Sequence, residues 1–256
     1  MYTKRILYPL SLLFFSHLIQ LGLAKDHPIA VTCSSSVFTP NGTYDNNLRT
    51  LMSYLNFGTP LTGHGSASQG LGQDRVYGLA HCRRNITTTD CHACVKRARN
   101  EIQRLCPFNK QGVVYRTYCQ LRYSDFDFLD QIDDQHCYST VNATSASNPV
   151  YFDRQIIKFV SMLEKGVYAD PNMFALAVLE IGESDMLYGL VHQCTGYPSS
   201  LDCKNCLVVG LSMVLSDLIG KEGENLFRRS CDVGFEVFPF VFSRENVSLL
   251  FSANKL

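Results

Sequence analysis

Neither sign of charge dominates this chain: 23 Lys and Arg face 23 Asp and Glu over 256 residues. That balance excludes the electrostatic footprint of a nucleic-acid binder or of a protein held on an anionic membrane. Long apolar runs are scarce beyond residue 24. The richest, Leu207 to Ile219, is too short to span a bilayer and is interrupted by Asp217. The closing residues Val247 to Leu256 are too short, and too polar at Asn254-Lys255, for an anchor-attachment signal. Catalytic spacings are missing as well. His64, His81, His92, His136 and His192 are scattered, with no nucleophile or acid–base set around them. The Gly- and Ser-rich stretch Thr62 to Gly72 lacks the Lys-Ser/Thr of a phosphate cradle and reads as a connection. The acidic run Asp125, Asp127, Asp130, Asp133 and Asp134 lacks the Gly turn and bidentate Glu of a calcium loop, so it reads as a solvated face.

The amino terminus reads as a secretory signal over residues 1–24. Lys4 and Arg5 begin it, Ile6 to Leu23 is largely apolar, and Gly22 and Ala24 supply small residues for cleavage. Without Lys4 and Arg5 the mature chain has 21 basic against 23 acidic residues, and it is expected to be secreted with no membrane span. Four sequons agree with export, at Asn41, Asn85, Asn142 and Asn246.

Eleven cysteines behind such a leader read as disulfides. Their order is duplicated. Cys82-x8-Cys91-x2-Cys94 returns 112 residues later as Cys194-x8-Cys203-x2-Cys206, and Cys119 returns as Cys231. Tyr77-Gly78-Leu79 and Asp90 likewise face Tyr188-Gly189-Leu190 and Asp202. A period this long means two domains, here 28–136 and 150–244, with a polar linker over 137–149 and a tail over 245–256.

In the first unit Tyr44 to Leu55 has helical periodicity, and a second helix is expected to start near Thr89-Asp90. Arg75 to His81 and Gly112 to Tyr123 read as strands. In the second unit Phe152 to Leu163 and Cys203 to Ile219 read as helices. Phe227 to Phe242 makes the closing strands, with Pro239 at an edge or bulge.

The four cysteines shared by the repeats must satisfy one another, which leaves Cys33 and Cys106 as partners. A bridge within Cys91-x2-Cys94 would join two positions of one helical turn, where disulfide geometry is poor. The remaining choice favours Cys82–Cys91 and Cys94–Cys119, copied as Cys194–Cys203 and Cys206–Cys231. Cys137 is left over, as an intermolecular bridge to a second copy or as a shielded thiol whose former partner lay near position 218. Zinc ligation and thiol exchange at Cys91-x2-Cys94 are both disfavoured against a structural framework, and no metal or cofactor is expected.

Tyr77-Gly78-Leu79, the cysteine spacing, Cys106 and Cys119-Gln-Leu-Arg-Tyr123 resemble the plant cysteine-rich repeat secretory family, whose single-domain relative is the antifungal, mannose-binding ginkbilobin. The resemblance implies an α+β fold of two tandem ginkbilobin-like domains. Each would have two helices packed on a five-stranded antiparallel sheet, stapled by disulfides. It also implies a non-enzymatic protein of the apoplast that recognises a cell-surface protein partner in stress, defence or cell-cell signalling, or alternatively a carbohydrate. The relative's mannose site uses an Asn after the first cysteine, an Arg six before the last and a Glu five after it. Repeat 1 has Ser34, Val113 and Ser124 at those positions. Repeat 2 has Asn225 for the Arg, keeps Glu236, and has no marked first cysteine. The relative's mode of mannose binding is therefore not expected, and Glu236 is the one candidate ligand residue.

Overall fold

The computed structural model describes residues 28–129, 137–170, 174–181, 186–192, 200–217, 220–228 and 231–238. The leader, Asn246 and Cys194 lie outside them. In the first domain β1 (Ala30–Cys33), α1 (Thr43–Thr62), β2 (His64–Gln69), β3 (Val76–Cys82), α2 (Thr88–Leu105), β4 (Gly112–Tyr115) and β5 (Cys119–Ser124) build one antiparallel sheet, in the order β1-β4-β5-β3-β2. The second repeats it with β6 (Cys137–Val141), α3 (Pro149–Ala169), β7 (Ala175–Glu180), β8 (Met186–His192), α4 (Ser200–Asp217), β9 (Gly223–Arg228) and β10 (Asp232–Glu236), ordered β6-β9-β10-β8-β7. Two helices per five-stranded sheet is the architecture that the resemblance implied.

Three local expectations shift. The Gly- and Ser-rich connection is strand β2, paired with β3 from His64↔His81 to Gln69↔Val76. Its small side chains lie under α1, and a Cβ on Gly65 would meet Thr59 Oγ1 at 2.5 Å. The second helix begins earlier, with Thr87 as its N-cap: Thr87 Oγ1 accepts from the Asp90 amide at 3.1 Å and donates to the Asp90 carboxylate at 2.8 Å. Thr87 is therefore the cap, and Asp90 is the third residue of the first turn. The residues expected as a linker begin with β6, because the second sheet needs an outer strand to match β1.

Each core lies between its helices and its sheet. Leu48, Leu51, Met52, Leu55, Val95, Ala98 and Ile102 meet Val76, Ala80, Val114 and Leu121 in the first domain. Phe152, Ile156, Phe159, Leu163, Leu207 and Leu211 meet Leu187, Leu226, Val233 and Phe235 in the second. The repeated Tyr-Gly-Leu motif has a packing cause. A Cβ on Gly78 would stand 2.7 Å from Leu51 Cδ2, and one on Gly189 would stand 2.4 Å from Phe159 Cε1. In both domains the first helix lies against bare strand backbone there.

Bridges join Cys33–Cys106, Cys82–Cys91, Cys94–Cys119 and Cys206–Cys231. Cys203 is also disulfide-bonded. Cys91 and Cys94 each bond elsewhere, so they do not form a Cys-x2-Cys exchange pair.

The sheet face turned away from the helices is buried in the first domain, at Leu79, His81, Val113, Tyr115, Gln120 and Arg122. The second domain covers part of it. The rings of Tyr115 and Phe227 lie 5.9 Å apart, and His81 Nε2 stands 3.9 Å from Asp232 Oδ2. Side chains alternate across a strand. With Val233 and Phe235 in the core, Asp232, Gly234 and Glu236 therefore face the first domain.

Candidate ligand-binding site

Strands β9 and β10 pair Asn225↔Gly234 and Gly223↔Glu236. Each glycine leaves room for the side chain opposite. A Cβ on Gly234 would sit 2.2 Å from Asn225 Oδ1, and one on Gly223 1.9 Å from Glu236 Oε2. The two polar groups therefore lie flat on the sheet, and Asn225 Nδ2 donates to Glu236 Oε1 at 2.7 Å. Glu236 is only 6% exposed, and its Oε2 has no hydrogen-bond partner among the described residues. Burial pushes its carboxyl up to about 7, against the opposing pull of the Asn225 and Asn142 amides. In mildly acidic surroundings Glu236 is a neutral acid that both donates and accepts.

Asn142 was missed as a site residue because repeat 2 has no cysteine to mark its place. Register identifies it. Cys33 faces Gly112 in the first sheet and Val141 faces Glu224 in the second, and Gly112 and Glu224 are 112 residues apart. Isolated bridges at Val37↔Asn109 and Ser145↔Lys221 repeat the same offsets. The counterpart of Cys33 is thus Val141, not Cys137, and the residue after it is Asn142. Position 218, which matches Cys106, is Leu. Two apolar residue types, Val141 and Leu218, thus replace the two cysteines in sequence, and Leu218 lies outside the described residues. Two of the three polar positions, Asn142 and Glu236, are accordingly present, with Asn225 in place of the Arg.

In the first domain Ser34, Val113 and Ser124 also meet, lining one cavity of about 200 Å³ with Arg122. Buried Val113 offers no side-chain hydrogen bond there. Asn225 and Glu236 instead open onto a cavity of about 250 Å³ between the domains. Its second-domain wall also carries Asp232 and the rings of Phe227 and Phe238. The first-domain wall carries His81, Arg83 and Arg116. Arg83 Nη1 donates to the Thr117 carbonyl at 2.8 Å and Nε to Asn85 Oδ1 at 3.3 Å, and its guanidinium lies 5.2 Å from the Tyr118 ring centroid. Burial lowers its pKa to about 10, still charged at neutral pH. Arg116 donates to Glu101 of α2. Burial, with His64 adding to it, holds His81 down at about 3, so its approach to Asp232 is a polar contact of a neutral ring.

The other candidates do not converge. His64 faces His81 across β2 and β3, while His92 stacks on Phe57 at 6.5 Å on the helical side. Asp125 accepts from Gln111 and Asp127 from the Leu129 amide, so these two acids serve local turns. Among the described residues no three His, Cys, Asp or Glu are grouped to hold a metal. No described helix is long and apolar enough to cross a membrane. Asn41 is exposed, whereas Asn85 and Asn142 are half-buried. Cys137 opens β6 opposite Arg228; its thiol state lies outside the described residues, as do His136 and Asp130, Asp133 and Asp134.

Residues 32–126 match the family described as salt stress response/antifungal. The chain is 36% identical to an antimicrobial ginkbilobin-2-like protein of Castanea crenata, over 81% of this chain and 86% of that one. It is 34% identical to cysteine-rich repeat secretory protein 38 of Arabidopsis thaliana, over 80% and 81%. Among solved structures, the tandem DUF26 ectodomains of two Arabidopsis thaliana cysteine-rich receptor-like proteins share its fold. Their TM-scores are 0.70 and 0.72, each at 23% identity; the first covers 82% of this chain and 99% of its own, the second 83% and 98%.

Proposed function

The chain belongs to the stress-antifungal family of cysteine-rich repeat secretory proteins, and from that premise we propose that it is a non-catalytic binding protein of the plant apoplast. It works in stress or defence, and it holds a carbohydrate where its two sheets meet. One observation carries this reading: the hydrogen-bonded Asn225–Glu236 pair lies in a cavity edged by Phe227 and Phe238, with Glu236 Oε2 buried and unsatisfied. Directional polar groups for hydroxyls beside aromatic faces for C–H edges are what a sugar requires. A glycan array followed by titration is the test. Binding should fall by about tenfold or more in Glu236→Ala, since a hydrogen bond to such a group is worth about 1–2 kcal/mol. Absence of any glycan binding, or binding indifferent to Glu236, would overturn the reading.

A protein partner is the second reading, favoured by a different surface. Tyr54, Phe57 and Leu61 form one row on α1 and are 57%, 69% and 79% exposed. A row of large apolar side chains in water is a docking feature more often than a packing one. Capture of a receptor ectodomain by the wild-type chain, lost in Phe57→Ser, would support it.

A further inference from the structure

Phe38 and Phe108 occupy places that the second repeat fills differently. The Phe38 amide donates to the Phe108 carbonyl at 2.8 Å, and the Ala146 amide donates to the Gly220 carbonyl at 2.9 Å. Ala146 and Gly220 are therefore their counterparts, as the bridges Val37↔Asn109 and Ser145↔Lys221 also require. Both turns enter the left-handed region, with φ of 67° at Phe108 and 71° at Gly220. Glycine adopts that conformation freely, whereas a bulky side chain is strained in it. The turn can thus be made without a side chain, and the strain at Phe108 must be offset by what its ring does. Core burial is only part of that, because Phe108 is 47% exposed. Its ring stands edge-on to Phe38, with centroids 6.0 Å apart and planes at 85°. Strained residues of this kind gather at ligand clamps.

The two rings line a cavity of about 270 Å³ on the helical side of the first domain. Leu48 and Met52 of α1, Ile102 of α2 and Tyr123 of β5 form its interior. Tyr123 spends its hydroxyl on the Asn109 carbonyl at 2.8 Å. The charged lining residues are Asp45 and Arg49, which bond to each other at 2.9 and 3.0 Å. The lining is therefore neutral and favours neither sign of charge.

We propose that this cavity binds a small uncharged aromatic molecule, one ring with a short substituent, clamped by Phe38 and Phe108. The space suffices, since an apolar cavity of about 150 Å³ already takes up benzene. Two rings at right angles offer a third ring both a face and an edge, and the Met52 thioether adds a polarizable contact. The second repeat, with Ala146 and Gly220, has no rings at these positions. The site lies on the opposite face of the sheet from the cavity between the domains and is independent of the carbohydrate reading.

Three probes of similar size test the proposal: benzyl alcohol, cyclohexylmethanol and benzoate, each titrated into the secreted full chain and followed by saturation-transfer NMR. Benzyl alcohol should bind about threefold or more tighter than cyclohexylmethanol, which has no π face. It should bind about tenfold tighter than benzoate, whose charge would be desolvated without a counterpart. Phe108→Gly, which copies Gly220, should weaken benzyl alcohol by about tenfold while the denaturant midpoint stays level or rises. A lowered midpoint would mean that the ring serves packing, and it would overturn the inference. Binding that survives the substitution, or that is equal for the three probes, overturns it as well. So does absence of benzyl alcohol binding to the wild-type chain.

Discussion

Asn225 and Glu236 are joined by a 2.7 Å hydrogen bond across the β9–β10 pair, each lying over the glycine opposite. Their counterparts in the first domain, Val113 and Ser124, cannot make that bond. The two domains thus share one fold, and the second carries the polar pair.

Acid–base behaviour follows from Glu236. Its folded pKa of about 7 stands above the ordinary 4.5, so it stabilises the fold fully below the lower value and loses that contribution as pH rises through the higher one. Wild-type stability should therefore decline by about 1–2 kcal/mol relative to Glu236→Gln between about pH 4.5 and 8, allowing for partial screening. Denaturant melts of the two proteins across that range measure the difference. A wild type that gains on the variant as pH rises would contradict the assignment.

Gly223 is predicted to matter for binding more than for folding. A Cβ there would stand 1.9 Å from Glu236 Oε2, at the movable end of a side chain. Gly223→Ala should displace Glu236, weaken ligand binding by about tenfold, and cost less than about 1.5 kcal/mol of stability. Calorimetry on the folded variant reads both quantities.

The Cys33–Cys106 bridge closes a sequence separation of 73 residues. Replacing both cysteines with Ala should destabilise the first domain by about 2–4 kcal/mol. The double variant Cys33→Val and Cys106→Leu, copying the residues of the second repeat, should recover part of that loss through packing. Unfolding followed by hydrogen exchange separates the two domains.

Asn142 belongs both to the polar triad and to the sequon Asn142-Ala143-Thr144. Its Oδ1 accepts from the Thr144 amide at 3.1 Å, and its amide lies close enough to favour the charged form of Glu236. A glycan on Asn142 should obstruct the site. Thr144→Ala, which abolishes the sequon and keeps Asn142, should bind ligand more tightly than any wild-type fraction that mass spectrometry shows to be modified there. Equal affinity in the two would remove Asn142 from the site.

Cys137 remains the expected odd thiol. Cys137→Ser should fold normally and lose any dimer that is reducible on a non-reducing gel. A covalent dimer surviving the substitution would place the unpaired cysteine elsewhere.

Periodicity and spacing determined the local parts of this protein. The Cys82/Cys194 duplication, the apolar rows of Tyr44 to Leu55 and Phe152 to Leu163, and the poor geometry of a bridge inside Cys91-x2-Cys94 are properties of neighbours along the chain, where helix and strand periods act. Strand β2 escaped notice because Gly65, Ser66 and Ala67 carry no apolar alternation; they are strand because α1 packs over them. Glu236 was already a candidate by its position after the last cysteine, but tertiary structure decided what surrounds it. Asn142, Asn225 and Glu236 are distant in sequence, and only strand register shows that Val141 stands where the first repeat has Cys33. No spacing or motif singles out Arg83 and Arg116, which line the cavity only because the back of one sheet is set against the other. Burial between the sheets is what raises the Glu236 pKa, lowers that of His81, and makes the guanidiniums one wall of a cavity, and no periodicity along the chain encodes which two faces meet.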